Sequence, residues 1–365
     1  MSGSAADIRW MRVALGLGAR GMGRVWPNPA VGCVIVAGGR VVGRGWTQDG
    51  GRPHAEVMAL AQAGPAARGA TAHVTLEPCN HHGATGPCSE ALIAAGVARV
   101  VIACGDPHAV ARGGAARLRA AGIAVTEGVC RAEAEAAHRG FFLRVGQGRP
   151  MLTLKLAVSG DGRIATATGE SQWITGPAAR AWVHGARARH DAVLVGAGTA
   201  RADDPSLTVR GLGIAHQPVR VVLSRRLDLP ADSALMRTAG DVPVWLCHGP
   251  EAPEAARAAW DAAGARRIEV SAGSGGQLDL GEVMAALGEA GLTRVFCEGG
   301  GTLAAGLLAS DLVDELAVIS AGLVIGAEGT PAVGAMGIAA LAEAPRFDLR
   351  ETRALGGDVL ALWSR

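Results

Sequence analysis

The sequence predicts an α/β protein made of two successive units. Short apolar runs alternate with helical patterns along the whole chain, and a turn-rich segment at residues 146–150 interrupts them. This alternation is typical of a largely parallel or mixed sheet covered by helices. The chain has 365 residues, 49% of them apolar, which is enough for two domains with sizeable cores. We therefore predict one domain at residues 1–146 and a second at residues 150–365.

The first unit opens with a helical pattern at residues 8–19. Short runs rich in Val and Ile, bounded by glycine and proline, predict strands in the part that follows. These strands are expected at residues 31–36, 41–45, 72–76, 99–103 and 123–126. Helices are expected between and after them at residues 55–63, 89–95, 114–121 and 131–142.

The second unit repeats the same kind of alternation. Strands are predicted at residues 151–156, 192–195, 219–223, 244–246, 294–297, 315–319 and 359–363. Helices are predicted at residues 177–189, 254–263, 281–290 and 302–309. The glycine-rich stretch at residues 272–276 predicts a loop.

Charge and composition exclude several classes of protein. The formal net charge is only +2, from 35 basic and 33 acidic side chains, so nothing indicates a nucleic acid as partner. No run of about 18 apolar residues predicts a membrane span, and the small, polar N-terminus has no apolar signal-peptide core. We therefore expect a cytoplasmic protein. The seven cysteines are an odd number scattered over apolar runs, which does not indicate a disulfide framework.

His54, Glu56, Cys79 and Cys88 form the first set of residues that indicates chemistry. One imidazole and two thiolates are three zinc ligands, and a zinc with three protein ligands keeps a water whose pKa falls to about 7. Glu56 is left over as a carboxylate that can carry a proton beside that water. The ligands are expected at helix starts near strand ends, where α/β folds commonly place sites.

A structural zinc site with four protein ligands is the main alternative for this set. His73, His81 and His82 are each near enough in the sequence to supply a fourth ligand. Glu56 argues against this alternative, because a structural site has no use for a carboxylate two residues from a ligand.

Asn28 is a candidate for binding a ring. Pro27 and Pro29 fix the backbone on both sides of it. Its amide offers two donors and one acceptor, which suit the amide edge of a heterocycle. A plain Asx turn explains the same residues equally well.

Glycine turns after two strands of the second unit form another candidate site. Residues 196–199 and 298–303 each read as strand, glycine turn and helix, an arrangement that lets a pyrophosphate approach backbone N–H groups. A plain tight turn explains residues 298–303 better when they are taken alone, but two such turns in one domain suggest a dinucleotide that bridges them. Ser224, followed by Arg225 and Arg226, offers a hydroxyl and guanidinium groups suited to the 2′-phosphate of NADP. A solvated charge cluster is the alternative for these last three residues.

These motifs resemble a known family, the bifunctional deaminase/reductase of riboflavin biosynthesis. The resemblance rests on residues 27–32, 54–56 and 74–88, where eight residues separate the two cysteines, and on blocks from residue 159 to residue 303 of the second unit. It implies a cytidine-deaminase-like three-layer α/β/α domain with a mixed sheet, followed by a dihydrofolate-reductase-like α/β domain. It also implies zinc held by His54, Cys79 and Cys88, Glu56 as proton shuttle, NADPH as second cofactor, and a phosphorylated pyrimidine as substrate.

The resemblance assigns the remaining site residues one by one. Those that would line the NADPH site are Ala157, Trp173, Thr199, Asp203, Ser224, Gly300, Gly301, Thr302 and Leu303. Those that would contact the substrate in the second unit are Ser171, Arg187, Leu207, Arg210 and Glu298. The chain departs from the family pattern at Ala84, usually basic, at His108, usually Asn, and at Gly160, usually Leu.

Two other classes remain open from the residues alone. A nucleic-acid-editing deaminase predicts basic patches and stacking aromatic residues, but only 3% of the residues are aromatic. A non-catalytic, zinc-stabilised binding protein predicts a metal with protein ligands only. The resemblance further implies a homo-oligomer, which we expect to be a dimer.

Overall fold

A computed structural model of the chain describes residues 3–83 and 86–365. The continuous chain forms two units, and the break between them falls between Gly148 and Arg149. The turn-rich segment before this break is shorter than the sequence suggests, because the preceding helix continues through Gly146 to Gln147. Gly148 ends that helix at φ 71°, a left-handed conformation that glycine adopts at little cost. The departure at Ala84 lies outside the described residues.

The first unit, Met1–Gly148, contains five strands and five helices among its described residues. The strands are β1 (Gly32–Ala37), β2 (Arg40–Trp46), β3 (Thr71–Val74), β4 (Arg99–Ile102) and β5 (Ala124–Glu127). The helices are α1 (Ala5–Gly18), α2 (Ala55–Ala63), α3 (Cys88–Ala94), α4 (Gly114–Ala120) and α5 (Arg131–Gln147). Every element predicted for this unit is present, and its ends differ from the prediction by a few residues.

The sheet of this unit is mixed, in the order β2-β1-β3-β4-β5. Strand β1 pairs antiparallel with both β2 and β3, whereas β3, β4 and β5 run parallel to one another. The carboxyl ends of β3 and β4 therefore lie side by side, and the chain leaves both at the same edge of the sheet.

Helices α1 and α2 cover opposite faces of this sheet. A Cβ on Gly32 would lie 1.8 Å from the Ala14 carbonyl oxygen of α1, and a Cβ on Gly45 would lie 2.1 Å from the Ala55 carbonyl oxygen of α2. Gly45 is paired with Cys33, the neighbour of Gly32, and successive residues of a strand point to opposite faces. Glycine at each position thus lets one helix lie directly on the sheet, which gives the expected three layers.

The second unit, Arg149–Arg365, is built on a larger sheet. Its strands are β6 (Met151–Val158), β7 (Arg163–Ala165), β8 (Ala192–Gly196), β9 (Val219–Leu223), β10 (Val244–His248), β11 (Arg266–Glu269), β12 (Arg294–Cys297), β13 (Glu315–Ala321), β14 (Thr330–Pro331), β15 (Asp348–Leu355) and β16 (Asp358–Ser364). Its helices are α6 (Pro177–Arg187), α7 (Ala197–Asp203), α8 (Ala234–Arg237), α9 (Glu254–Ala262), α10 (Leu280–Glu289) and α11 (Gly301–Ala309).

Nine of these strands form one sheet in the order β11-β10-β9-β8-β12-β6-β13-β16-β15. The first seven are parallel, and the pairs β13–β16 and β16–β15 are antiparallel. Strands β8, β12 and β6 are central and buried, so their carboxyl ends meet near the middle of one edge, where ligands bind in sheets of this kind.

Each unit has its own apolar core. In the first unit it is built around the buried faces of β1, β3 and β4, and in the second unit one cluster surrounds β8, β9 and β10 while another joins α6 to β12, β13 and β16. The longest helix of the described chain, α5, has 17 residues. None of the described helices combines the length and apolar character needed to cross a bilayer.

Candidate active sites

The residues of the first set lie where three elements begin or end. His54 is the N-cap residue of α2, with extended backbone, and Glu56 is buried in the first turn of that helix. Cys88 is the first residue of α3, after Pro87. Cys79 lies in the loop that leaves β3, and its carbonyl oxygen accepts a hydrogen bond from the backbone N–H of Ser89. The fold thus brings together residues 25 and 34 positions apart in the chain.

The three ligand atoms converge. His54 Nδ1 lies 3.3 Å from Cys88 Sγ and 3.6 Å from Cys79 Sγ, and all three atoms lie within 4.8 Å of one another. Tetrahedral zinc with Zn–S and Zn–N bonds of about 2.3 and 2.0 Å holds its sulfur and nitrogen ligands about 3.6 Å apart. The donor set and its spacing therefore fit a zinc ion with three protein ligands.

The charges in this cluster are linked. Hydrogen bonds from the Cys88 thiol and from His54 lower the pKa of Cys79 to about 4, whereas the hydrogen bond to Cys79 and burial raise the pKa of Cys88. One thiolate is thus stable without metal, and a dication is what favours the second. Burial raises the pKa of Glu56 to about 7, against a hydrogen bond with the Cys88 side chain. A carboxyl group with that pKa can both take up and release a proton near neutral pH.

Two of the three histidines considered as a fourth ligand, His73 and His82, have carboxylate partners elsewhere, and His81 is not part of the group that could hold a metal. His73 lies within β3, and its Nε2 is 3.2 Å from Oδ1 of the buried Asp7. The same carboxylate also forms an ion pair with Arg99. His82 Nε2 lies 3.7 Å from Glu90 Oε2. Among the described residues, the group that could hold a metal contains His54, Cys79 and Cys88 and no further His, Cys, Asp or Glu, which leaves a corner for water.

Asn28 lies beside the turn that leads to His54. Its Nδ2 donates to the Gly51 carbonyl oxygen at 3.2 Å, and a Cβ on Gly51 would lie only 1.9 Å from that nitrogen. This contact fixes the amide next to the start of α2 and leaves the side-chain oxygen as an acceptor. Its role toward a ring stays a prediction.

A cleft of about 1210 Å³ opens in the second unit at the carboxyl ends of β6, β8 and β12. Ligand pockets of drug size are typically 300–1,000 Å³, so this cleft has room for a dinucleotide and a second molecule. It is lined by the predicted cofactor residues Ala157, Trp173, Thr199, Asp203, Gly300, Gly301, Thr302 and Leu303. It is also lined by the predicted substrate residues Ser171, Arg187, Leu207, Arg210 and Glu298.

Ser224 is the one predicted cofactor residue that does not line this cleft. Its side chain is buried, and its hydroxyl donates to Asp228 Oδ1 at 3.1 Å. The next two residues, Arg225 and Arg226, do line the cleft. A 2′-phosphate at this place would meet guanidinium groups first, and the part assigned to Ser224 stays a prediction.

The glycine turns of the cleft fit a dinucleotide. Gly300 N donates to Thr199 Oγ1 at 3.1 Å, which joins the two turns predicted from the sequence. A Cβ on Gly301 would lie 2.8 Å from the Pro331 carbonyl oxygen, so only glycine leaves the start of α11 in place. The nine-residue helix α11 starts here with bare backbone N–H groups, a suitable partner for phosphate.

Arg187 and Glu298 form a buried ion pair on the cleft wall. The Nε–Oε1 distance is 2.6 Å, the Nη2–Oε2 distance is 3.1 Å, and Nη1 donates to the Thr208 carbonyl oxygen at 2.9 Å. Burial raises the pKa of Glu298, but the charge and hydrogen bonds of Arg187 outweigh it and lower the pKa. Burial lowers the pKa of nearby Lys155 and raises that of Asp203, so both move toward neutrality.

Comparison with known proteins shows that each unit of the chain matches a known protein family. The family described as "Cytidine and deoxycytidylate deaminase zinc-binding region" matches residues 4–104, and the "RibD C-terminal domain" family matches residues 150–361. The chain is 42% identical to the riboflavin biosynthesis protein RibD of Escherichia coli, over 97% of this chain and 98% of that protein. The chain belongs to the RibD family. Its RibD relative from Aquifex aeolicus is 38% identical over 98% of both chains.

Solved structures of related proteins have the same fold over nearly the whole chain. Form 1 of Acinetobacter baumannii RibD has a TM-score of 0.88 and 38% identity, and covers 98% of both chains. A Thermotoga maritima protein described as diaminohydroxyphosphoribosylaminopyrimidine deaminase/5-amino-6-(5-phosphoribosylamino)uracil reductase has a TM-score of 0.86 and 32% identity over 98% of both chains. Like other RibD proteins, the chain is a bifunctional deaminase/reductase of riboflavin biosynthesis, with a zinc-binding deaminase domain and a reductase domain of the type that uses NADPH.

Proposed function

We propose that residues 1–146 deaminate 2,5-diamino-6-(5-phosphoribosylamino)pyrimidin-4-one by hydrolysis. We propose that residues 150–365 then reduce the ribosyl side chain of the product to a ribityl chain with NADPH. The observation that supports the proposal most directly is the convergence of His54, Cys79 and Cys88 beside the buried carboxyl of Glu56.

In the deamination site, His54 Nδ1 and the sulfur atoms of Cys79 and Cys88 would hold zinc. Zinc, when bound, supplies a water molecule of lowered pKa, about 7. Glu56, buried in the first turn of α2 two residues after the ligand His54, takes a proton from the attacking water and delivers it to the departing ammonia. Asn28, held by the Gly51 carbonyl, presents its amide to the edge of the pyrimidine.

In the reduction site, NADPH would lie along the glycine turns at Gly196 and Gly300, and it supplies the hydride for the ribose C1. Arg210 binds the substrate phosphate, and the pair Arg187–Glu298 forms the rigid wall against which the ribose is oriented. Lys155 and Asp203 have opposite pKa shifts that bring both toward neutrality, which suits an exchange of the proton that opens the sugar.

The proposal is tested with the purified full-length chain, the diamino pyrimidine and NADPH. We expect ammonia release without NADPH, and a fall in NADPH absorbance only after deamination. A zinc-stabilised binding protein would release no ammonia. An editing deaminase would release ammonia from single-stranded nucleic acid instead of from the pyrimidine nucleotide.

We expect one tightly bound zinc ion per chain and its loss in the double variant Cys79→Ser/Cys88→Ser. Serine keeps the shape of the side chain but is a far weaker zinc ligand than thiolate. Elemental analysis of both proteins after dialysis measures this. The matched control is Cys247→Ser, which alters a buried cysteine of the second unit outside the cluster and should retain zinc. An unchanged zinc content in the double variant would refute the ligand assignment.

We also propose that the enzyme is a homodimer and acts in the cytoplasm. The resemblance to the family supports both statements. Sedimentation velocity of the purified chain measures the oligomeric state, and a monomer at micromolar concentration would contradict the dimer.

A further inference from the structure

The carboxylate of Glu77 binds three backbone N–H groups from a different part of the first unit. Oε2 accepts from Asp106 N at 3.3 Å, and Oε1 accepts from Gly113 N at 3.1 Å and from Ala115 N at 3.0 Å. The α4 helix has no side-chain cap of its own at Gly113, so Glu77 takes the place of that cap. Both oxygens are engaged, one at each end of residues 105–113, which we call the 105–113 segment.

The 105–113 segment lies against the loop that carries Cys79. Asn80 N donates to the Ala111 carbonyl oxygen at 2.8 Å, and a Cβ on Gly114 would lie 1.8 Å from the Pro78 carbonyl oxygen. The segment follows β4, and the Cys79 loop follows β3, so both leave the same edge of the sheet. Apart from the contacts of Glu77 and Asn80, most of the segment is exposed, including residues 107–110.

Electrostatic contact also links this segment to the zinc ligands. Burial raises the pKa of Asp106, the His108 N–H lowers it by a hydrogen bond to the Asp106 carboxylate, and the charges of Glu77 and Cys79 raise it further. The Asp106 carboxylate therefore interacts electrostatically with Cys79. The Glu77 carboxylate thus ties both ends of the segment to a position two residues before that ligand.

We propose that Glu77 is a positioning residue of the deamination site, which holds the 105–113 segment as a preformed wall of the pyrimidine pocket. The inference rests on the proposed deaminase function. The hydrogen bonds of the Glu77 carboxylate go to the two ends of the segment, so Glu77 acts through the segment. A fixed wall lowers the ordering cost of substrate binding, and a loosened wall raises KM.

The test is Glu77→Gln in the full-length, zinc-loaded chain. Glutamine retains the size but replaces one acceptor oxygen with an NH₂ group that points at an N–H donor, so one end of the segment is released. We expect KM for ammonia release to rise at least about tenfold, with kcat changed less than about threefold and unchanged zinc content. Hydrogen exchange should accelerate in peptides that cover residues 105–115 and stay unchanged in α1.

Glu77→Asp and Glu90→Gln complete the design. Aspartate keeps the charge but is one methylene too short to reach both ends, so we expect a similar rise in KM with zinc retained; this variant decides the matter if Glu77→Gln does not fold. Glu90 lies on the first turn of α3, half exposed near His82, and its removal should leave KM unchanged.

A KM unchanged in both Glu77 variants, or a loss of zinc and kcat at constant KM, would overturn the inference and leave the proposed function standing. Wild-type enzyme that releases no ammonia would overturn the proposed function itself, and this inference with it.

Discussion

Replacing Glu56 with glutamine is expected to slow ammonia release by a factor of about 10²–10⁴, the usual contribution of a positioned acid–base group. Glutamine has the same shape and can keep a contact with Cys88, but it cannot take a proton from water. Because Glu56 is buried and is not one of the zinc ligands, the zinc content should not change. The measurement is steady-state ammonia release with metal analysis of the same sample, and NADPH oxidation on pre-deaminated substrate should be unaffected.

Glu127→Gln is the matched control for this variant. It removes the same charge from the same unit at the exposed end of β5, where Glu127 pairs with Arg119, and should leave both reactions unchanged. Full deaminase activity of Glu56→Gln would refute its role as proton carrier. A loss of zinc from that variant would show that Glu56 supports the ligands instead.

The parts of the fold that follow from local sequence were predictable. The five strands and five α-helices described in the first unit were all expected, because its strands are short runs rich in Val and Ile and helical patterns lie between and after them. The zinc cluster was predictable for the same reason: His54 and Cys88 mark the starts of α2 and α3, and Cys79 follows a strand that was recognised. Motif spacing and predicted elements together place the three ligands at one edge of a sheet.

Edge strands of the second unit escaped prediction because they lack a buried face. Strand β11 has three charged residues among four, and β15 is almost fully exposed, so neither shows the apolar pattern of a strand. The two-stranded sheet of β7 and β14 is too short to be recognised. Strand order is also absent from local pattern, because pairing depends on contacts between residues far apart in the chain.

Two features of the sites depend on such distant contacts. The sequence shows Ser224 beside two arginines, but it does not show that Asp228 accepts a hydrogen bond from the Ser224 hydroxyl. The role of Glu77 was also not predicted, although α4 begins at two glycines without a capping side chain, which is the signal that an acceptor must come from elsewhere. In both cases the partner of a polar side chain is what the sequence leaves undetermined.

The buried ion pair of the reduction site leads to the second large effect that we expect. Replacing Glu298 with glutamine removes the only carboxylate that pairs with Arg187 among the described residues and leaves that guanidinium, 11% exposed, uncompensated beside Lys155. Removing one partner of a buried pair typically costs about 3–5 kcal/mol. We expect the free energy of unfolding of Arg149–Arg365 to fall by about that amount, and NADPH-dependent reduction to be lost because Arg187 and Thr208 lose their fixed positions.

Urea unfolding followed by pulsed hydrogen exchange in peptides of residues 149–365 measures this unit separately from the first. Glu351→Gln is the matched control: Glu351 pairs with Arg353 on exposed strand β15, and exposed pairs contribute about 0–1 kcal/mol. Because the two variants make the same chemical change in the same unit, the difference between them isolates burial as the cause. Equal unfolding free energies for the two variants, with reduction intact in Glu298→Gln, would contradict the role given to this pair.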